Sequence, residues 1–155
     1  MDSPDTRPRK PKRKAPSPRR DGREAALQYL YANDLQGEVD FSEEKLEQFW
    51  TIRQAKSFAQ EFATEILKGV ERHAASIDEE IRPTLENFAF QRLAVVDRNI
   101  LRIGTYEILY ADHIPPEAAI NEAIEIAKRF GNEESPKFVN GILDKILKNS
   151  QSEES

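Results

Sequence analysis

Cysteine is absent from this 155-residue chain, and histidine occurs only twice. The absence of cysteine excludes disulfides, thiolate metal sites and cysteine nucleophiles. The two histidines, His73 and His113, lie 40 positions apart, and with no cysteine near either of them a zinc site is not expected. We therefore predict no metal ion and no other cofactor.

Long hydrophobic runs are missing as well. No apolar segment approaches the roughly 18 residues that a membrane-spanning helix needs, and the N-terminus lacks the apolar core of a secretory signal. Hydrophobic residues make up 38% of the chain and charged residues 33%, which is polar for a globular protein but enough to fill one small core. We expect a cytoplasmic protein with one folded domain and no membrane partner.

The net charge of −5 is distributed unevenly along the chain. Residues 1–20 carry eight basic and two acidic side chains, a net charge of +6, whereas the remaining residues carry a net charge of −11. Five of the nine prolines also fall in the first 20 residues. Proline removes backbone donors and the stretch has almost nothing to bury, so residues 1–18 are predicted to form a disordered basic arm. Such an arm suits a polyanion partner through counterion release, and it suits a solubilising tail equally well.

After this arm, apolar residues recur at the three- and four-residue spacings of helices. The first stripe ends near Gly37, the most apolar one spans residues 93–111, and residues 114–116 separate that helix from the next. Ser135-Pro136 predicts the start of the last helix, with the serine hydroxyl at the cap. No two-residue alternation indicates a strand. The chain is therefore predicted to be all-α, with six or seven helices and a frayed tail at 149–155.

Two further signals concern helix starts. Asp40 followed by Glu43 predicts a cap for the second helix. Ser76 predicts a cap for a short helix that contains Ile77 and Ile81.

Three glycines, Gly69, Gly104 and Gly141, fall inside predicted helices, where glycine costs up to about 1 kcal/mol relative to alanine. We expect each of them to mark a close contact between two helices.

No catalytic motif is present. The chain has no glycine-rich phosphate loop, no HExxH and no nucleophile elbow. The carboxylate runs at 43–44, 78–80 and 133–134 are typical of solvated helix faces and turns. We therefore predict no catalytic residue and expect a protein that is not an enzyme.

Two groups of side chains leave both a structural and a binding interpretation open. Arg98 and Arg102 share one helix face, where they can pair with Asp97 or Glu107 or present a positive strip to RNA. Lys137 and Phe138 open the last helix. A cation beside an exposed aromatic suits a backbone phosphate and a stacked base, although the residues alone favour a core position for Phe138. Tyr31 is either a core-edge residue or a stacking platform.

The string AVVDRNILRIGTYEIL at 94–109 is followed by IPPEAAINEAIEIAKRFGNEESPKFVNGILDKIL at 114–147. Together with Arg23, Ala26, Leu27, Leu30 and Tyr31 of the first helix, these strings closely resemble the bacterial transcription antitermination factor NusB. The resemblance runs from about residue 19 to residue 147 and is vaguest at 35–90.

This resemblance implies an all-α fold of two three-helix subdomains packed together, over residues 19–148. It also implies a non-enzymatic role in transcription antitermination. NusB-like proteins bind the single-stranded boxA element of nascent RNA, notably of ribosomal RNA, together with the ribosomal protein that acts as NusE. The pair joins the elongating RNA polymerase complex with other Nus factors. NusB-like proteins occur as monomers and as homodimers, so both states stay open here.

The resemblance also implies the RNA-binding residues. In the family, RNA is held by an arginine-rich N-terminal segment, a tyrosine of the first helix and the start of the last helix, with one acid just before that helix and another in the central helix. Carried onto this chain, those positions are Arg19, Arg20, Arg23, Tyr31, Asp97, Glu134, Lys137 and Phe138.

Two other functions stay open. In one, the helices form a protein-interaction scaffold and the basic arm is a spectator. In the other, the chain is a stand-alone accessory domain, because NusB-like folds also resemble the N-terminal RNA-binding domain of certain ribosomal RNA cytosine methyltransferases. No catalytic domain follows within the 155 residues.

Overall fold

The computed structural model describes residues 17–86 and 89–153. The predicted arm therefore lies outside the described residues except for Ser17 and Pro18. Within these ranges the chain is all-α, as predicted, with two short 3₁₀ turns at Arg82–Thr84 and Phe90–Arg92 and no strand. The seven α-helices are α1 (Pro18–Gln36), α2 (Glu43–Ile52), α3 (Ser57–Arg72), α4 (Ala74–Ile81), α5 (Val95–Tyr110), α6 (Pro116–Phe130) and α7 (Ser135–Glu153).

Helix α1 begins and ends where its sequence signals predict. The Ser17 hydroxyl accepts a hydrogen bond from the backbone N–H of Arg20 at 3.2 Å, and Pro18 occupies the first turn, where its missing N–H costs nothing. At the other end Gly37 has a φ of 69°, a left-handed conformation that glycine adopts without steric cost. Helix α7, in contrast, continues to Glu153, into the segment 149–155 that the sequence predicts to be frayed. No proline or glycine after Gly141 stops it.

The predicted cap of α2 is wrong by two residues. Ser42 supplies the cap, because its hydroxyl accepts from the backbone N–H of Lys45 at 3.3 Å. Asp40 instead accepts from the N–H of Ser42 at 2.9 Å. It therefore closes the turn before the helix, as short acidic side chains do.

The predicted caps of α4 and α7 are also wrong. Ser76 lies inside α4, where its hydroxyl donates to the carbonyl of His73 at 3.1 Å. At the start of α7 the Asn132 side-chain oxygen accepts from the N–H groups of Glu134 and Ser135, at 2.9 and 3.1 Å. The side chain of an asparagine readily accepts hydrogen bonds from backbone N–H groups two or three residues later, so Asn132 takes the place that the Ser135 hydroxyl was predicted to have.

The helices form the two predicted three-helix subdomains. Helix α1 packs along α3, with α2 joined to α1 through an edge-on contact between Phe49 and Tyr29, whose ring centroids are 5.2 Å apart. Helices α5, α6 and α7 pack against one another, and α4 lies against α5 between the two groups. The fully buried side chains come from both subdomains, so one core is continuous across them. They include Leu67, Ile77, Ile81, Ile100, Leu101, Leu143 and Ile146.

Close helix contact explains two of the three helical glycines. A Cβ added to Gly69 would overlap the ring of Tyr106, and one added to Gly104 would lie 2.6 Å from a Cδ of Leu143. Among the described residues, nothing lies within 4 Å of a Cβ added to Gly141. The contact predicted for Gly141 is therefore wrong, because its position on α7 faces outward.

Candidate nucleic-acid interface

The three arginines predicted at the start of α1 occupy three different environments. Arg19 is exposed, with its guanidinium 5.9 Å from the centre of the Phe62 ring. Arg20 donates two hydrogen bonds to Glu122 of α6, both 3.0 Å long. This hydrogen-bonded cation lowers the pKa of Glu122 and is in turn partly neutralised. Arg19 therefore offers a freer charge than Arg20.

Arg23 does not reach the surface. It is only 4% exposed, and its guanidinium donates two hydrogen bonds of 2.7 Å to Glu107 of α5. It also lies 5.1 Å from the centre of the Phe62 ring. The prediction of an RNA contact at Arg23 does not fit this geometry. Arg23 lies one turn further into α1 than the exposed Arg19, on the same side of the helix, where Phe62 and Glu107 cover it.

Tyr31 is an exposed aromatic, with 38% of its surface accessible. Arg20, Glu24, Leu27 and Tyr31 follow one another at four- and three-residue steps, so they form one stripe on α1. Glu24 on this stripe pairs with Arg129 near the end of α6 at 2.9 Å. Tyr31 lies about two turns further along α1 than Glu24.

Three of the predicted residues line one cavity. This cavity, here called the α5–α7 cavity, has a volume of about 220 Å³ and lies between the start of α5 and the start of α7. It brings Asp97 of α5 together with Glu134 and Phe138, which lie about 40 positions later at the start of α7. The described residues that line it are Arg92, Leu93, Ala94, Asp97, Asn132, Glu134, Ser135 and Phe138.

Asp97 is the most buried acid of this cavity, with 9% of its surface accessible. Its Oδ1 atom is buried and has no hydrogen-bond partner within residues 17–86 and 89–153. A carboxylate oxygen left in this state gains free energy from any N–H donor that reaches it. The amino and imino groups of nucleobases are donors of this kind.

Phe138 forms the wall between this cavity and a larger groove. It packs against the hydrophobic core and is partly exposed, a position that fits both the core and the binding interpretations. The groove, here called the α7 groove, has a volume of about 620 Å³ and also includes Glu134 and the exposed Lys137. The rest of its lining is Thr84, Leu85, Glu86, Glu133, Gly141, Ile142 and Lys145.

Arg98 and Arg102 are held by ion pairs, but not with the carboxylates that the sequence suggests. The Oδ2 atom of Asp34 accepts from Arg98 at 3.1 Å and from Arg102 at 3.2 Å. Arg102 also pairs with Asp78 at 3.0 Å. Asp34 lies on α1 and Asp78 on α4, so these pairs join both helices to α5 and leave no free positive strip there.

The remaining candidate groups do not form a metal site. In the described part of the chain no cluster of three histidine or carboxylate side chains could hold a metal ion. His73 stacks on Tyr110, with ring centroids 3.7 Å apart, and His113 lies 3.3 Å from Glu65. None of the helices in these ranges is both long and apolar enough to cross a membrane.

Sequence reasoning missed Arg92 in the α5–α7 cavity. It is an exposed residue at the end of the second 3₁₀ turn, before α5 begins. Neither the helical spacing of apolar residues nor a motif identifies Arg92 as a binding residue. Its only distinctive feature in the sequence is a positive charge two positions before Ala94, the residue that precedes α5.

Taken together, the fold and this surface define a helical protein in which exposed cations adjoin aromatic side chains, a combination typical of single-strand RNA binders. The NusB family model matches residues 20–148, and the chain belongs to this family.

Relatives and solved structures agree with this assignment. The transcription antitermination protein NusB of Desulfotalea psychrophila is 44% identical over 83% of this chain and 94% of its own length. The structure of NusB from T. maritima has a TM-score of 0.74 and 42% identity, and the match covers 86% of this chain and 93% of that one. A structure of the antitermination factors NusB and NusE in complex with dsRNA has a TM-score of 0.76 and 30% identity, and the match covers 85% of this chain and 97% of that one.

Proposed function

We propose that this protein is a transcription antitermination factor that binds the single-stranded boxA element of nascent RNA, notably of ribosomal RNA. It does so with the ribosomal protein that acts as NusE, and the pair joins the elongating RNA polymerase complex with other Nus factors. Support comes from relatives that are named transcription antitermination proteins and from the similarity to a NusB–NusE complex with RNA.

The observation that carries the proposal is the α5–α7 cavity. Asp97 of α5 and the pair Glu134 and Phe138 at the start of α7 come from two separate parts of the sequence and converge on one concave site with an aromatic wall. A base that stacks on Phe138 can turn its N–H edge toward the carboxylate of Asp97, which lines the same cavity. Glu134 adds a second acceptor on the same wall.

Phosphates are bound outside this acidic cavity. Arg19 and Lys137 are exposed, and neither pairs with a carboxylate of the described residues. Arg20 contributes less, because Glu122 already holds its guanidinium. Tyr31 offers a second stacking surface. Arg23 has a structural role and is not part of the proposed interface.

The negative charge of the chain beyond residue 20 makes RNA binding more selective. With a net charge of −11 outside residues 1–20, most of the surface repels RNA, so binding is favourable only where the cations and aromatic rings can all be used. The basic arm at 1–18 accelerates association through long-range attraction.

Binding of a short boxA RNA to the purified chain tests the proposal. The affinity is measured at two salt concentrations, with and without the NusE-type ribosomal protein, beside a scrambled RNA of equal length. We expect a preference for boxA that strengthens with the partner. Equal and steeply salt-dependent binding of both RNAs would mean that only the arm acts, and the protein-interaction scaffold would then be the better description.

A further inference from the structure

The α5–α7 cavity has an unusual charge arrangement. Its described lining includes two carboxylates, Asp97 and Glu134, and a single cation, Arg92. Arg92 is exposed, and its side chain makes no hydrogen bond or ion pair with any residue in 17–86 or 89–153. The cation is therefore available to a ligand.

Most other arginines of the described chain are already neutralised. Six arginines lie within ion-pair distance of a carboxylate: Arg20, Arg23, Arg53, Arg98, Arg102 and Arg129. Arg19, Arg72 and Arg82 also lack a carboxylate partner in the described ranges, but none of them lines this cavity. Arg92 is therefore distinguished by its place at the edge of a cavity with an aromatic wall.

The backbone beneath Arg92 is firmly held. Its N–H donates to the carbonyl of Ala89 at 2.9 Å, which closes the 3₁₀ turn. The neighbouring Phe90 is buried and lies beneath the guanidinium groups of Arg82 and Arg102, each 5.2 Å from its ring centre. A long side chain on such an anchored turn can be aimed at a ligand with little loss of backbone entropy.

We propose that Arg92 binds an RNA backbone phosphate at the mouth of the α5–α7 cavity, next to the nucleotide whose base stacks on Phe138. This inference rests on the proposed function. Asp97 and Glu134 repel a phosphate and attract the N–H edge of a base, so the nucleotide enters base first. Its phosphate then stays at the cationic edge, where the planar fork of an arginine can donate two hydrogen bonds to it.

The test compares Arg92→Ala with Arg72→Ala. Arg72 is also exposed, has no carboxylate partner in the described ranges, and lines neither this cavity nor the α7 groove. Both variants lose one positive charge. For Arg92→Ala we expect about tenfold weaker binding of boxA RNA and a plot of log affinity against log salt that is shallower by about 0.7, the contribution of one phosphate of a single strand. Arg72→Ala should change neither quantity appreciably.

Two further readouts sharpen the test. Arg92→Ala should weaken boxA and scrambled RNA by the same factor, because a phosphate contact reads no sequence. Arg92→Lys should restore the salt slope and only part of the affinity, since an ammonium lacks the bidentate fork. Thermal unfolding should be unchanged in all three variants, as the side chains are exposed.

The possible failures are distinguishable. If wild-type protein shows no preference for boxA, the proposed function is wrong. If wild-type protein prefers boxA but Arg92→Ala has the affinity and salt slope of Arg72→Ala, the inference about Arg92 is wrong and the proposed function stands. A loss of preference in Arg92→Ala with an unchanged slope would also overturn the phosphate contact, because it would indicate a base contact instead.

Discussion

The guanidinium of Arg23 and the carboxylate of Glu107 form a bidentate ion pair that joins α1 to α5, with two hydrogen bonds of 2.7 Å. Both side chains are almost inaccessible, at 5% and 2%. Burial of the pair means that neither charge can be satisfied by water when its partner is removed. One arginine of the basic N-terminal run therefore holds the two subdomains together.

Removal of Arg23 should consequently destabilise the fold. We expect Arg23→Ala to lower the free energy of unfolding by about 3–5 kcal/mol, because it leaves the charge of Glu107 buried without a partner. Urea denaturation measures this. Arg19→Ala is the matched control and should stay within about 0.5 kcal/mol of wild type, since Arg19 is exposed. An Arg23→Ala protein with wild-type stability and weakened RNA binding would restore Arg23 to the interface.

The exposed arginines should act on affinity rather than on stability. Arg19→Ala should weaken RNA binding and reduce the salt slope by about 0.7, with little change in sequence preference. Arg20→Ala should have a smaller effect, because Glu122 competes with phosphate for its guanidinium. Glu122→Gln releases Arg20 and should strengthen RNA binding. Salt titrations of the three variants decide this, and a weakened Glu122→Gln protein would contradict it.

Phe138 should contribute stacking energy. Phe138→Ala should cost about 1–3 kcal/mol of binding free energy if a base stacks on the ring. Phe138→Leu preserves much of the packing against the core and should lose a similar amount of binding with less loss of stability. Phe58→Ala is the control, as Phe58 is 53% exposed and lines neither cavity. Wild-type RNA affinity in a folded Phe138→Ala protein would rule out stacking.

The Arg20–Glu122 pair should add an acid-sensitive component to stability. The hydrogen bond from Arg20 lowers the pKa of Glu122 from its usual value of 4.5. Because the pKa of Glu122 is lower in the folded than in the unfolded state, the ion pair contributes its full stabilisation above about pH 4.5. This stabilisation is lost as the pH falls through the pKa that Glu122 has in the folded state. Glu122→Gln and Arg20→Ala should both remove this component. Unfolding curves between neutral and acidic pH, identical for wild type and both variants, would refute the assignment.

The helical glycines offer a contrast within one helix pair. Gly104→Ala should destabilise the protein by about 1–3 kcal/mol, since the new methyl group would meet the fully buried Leu143. The methyl group of Gly141→Ala would have no described neighbour within 4 Å, so this variant should be more stable by up to about 1 kcal/mol, because alanine favours the helix. Thermal unfolding of the two variants measures both changes. Equal changes in the melting temperature of both variants, in the same direction, would show that only the helix propensity of alanine affects stability at these positions.

Local patterns in the sequence predict most of the fold. Helical spacing of apolar residues, Gly37 at the end of α1 and the break at residues 114–116 depend only on neighbouring residues, so they can be recognised one segment at a time. The misplaced caps show the limit of this approach. Asp40, Ser76 and Ser135 all have side chains suited to a cap, and the competing backbone groups two or three residues away decided which residue is used.

The candidate site could be predicted only in part. Similarity to a known family marks Tyr31, Asp97, Glu134 and Phe138 as binding residues, but it cannot indicate that Asp97, Glu134 and Phe138 line one cavity. It also treats Arg19, Arg20 and Arg23 as equivalent members of one basic run. Their exposures differ because the turn of α1 directs each guanidinium toward a different neighbour.

The sequence by itself determined the helical class, the uneven distribution of charge and the family of this protein, because these depend on composition and on short-range spacing. The tertiary structure alone decided that Arg23 is buried against Glu107 and that Asp34 and Asp78 hold Arg98 and Arg102. It also decided that Arg92 lines the cavity of Phe138 with no carboxylate partner among the described residues. The physical reason is that an ion pair or a cavity depends on how one helix is placed against another, and that placement depends on packing over the whole core.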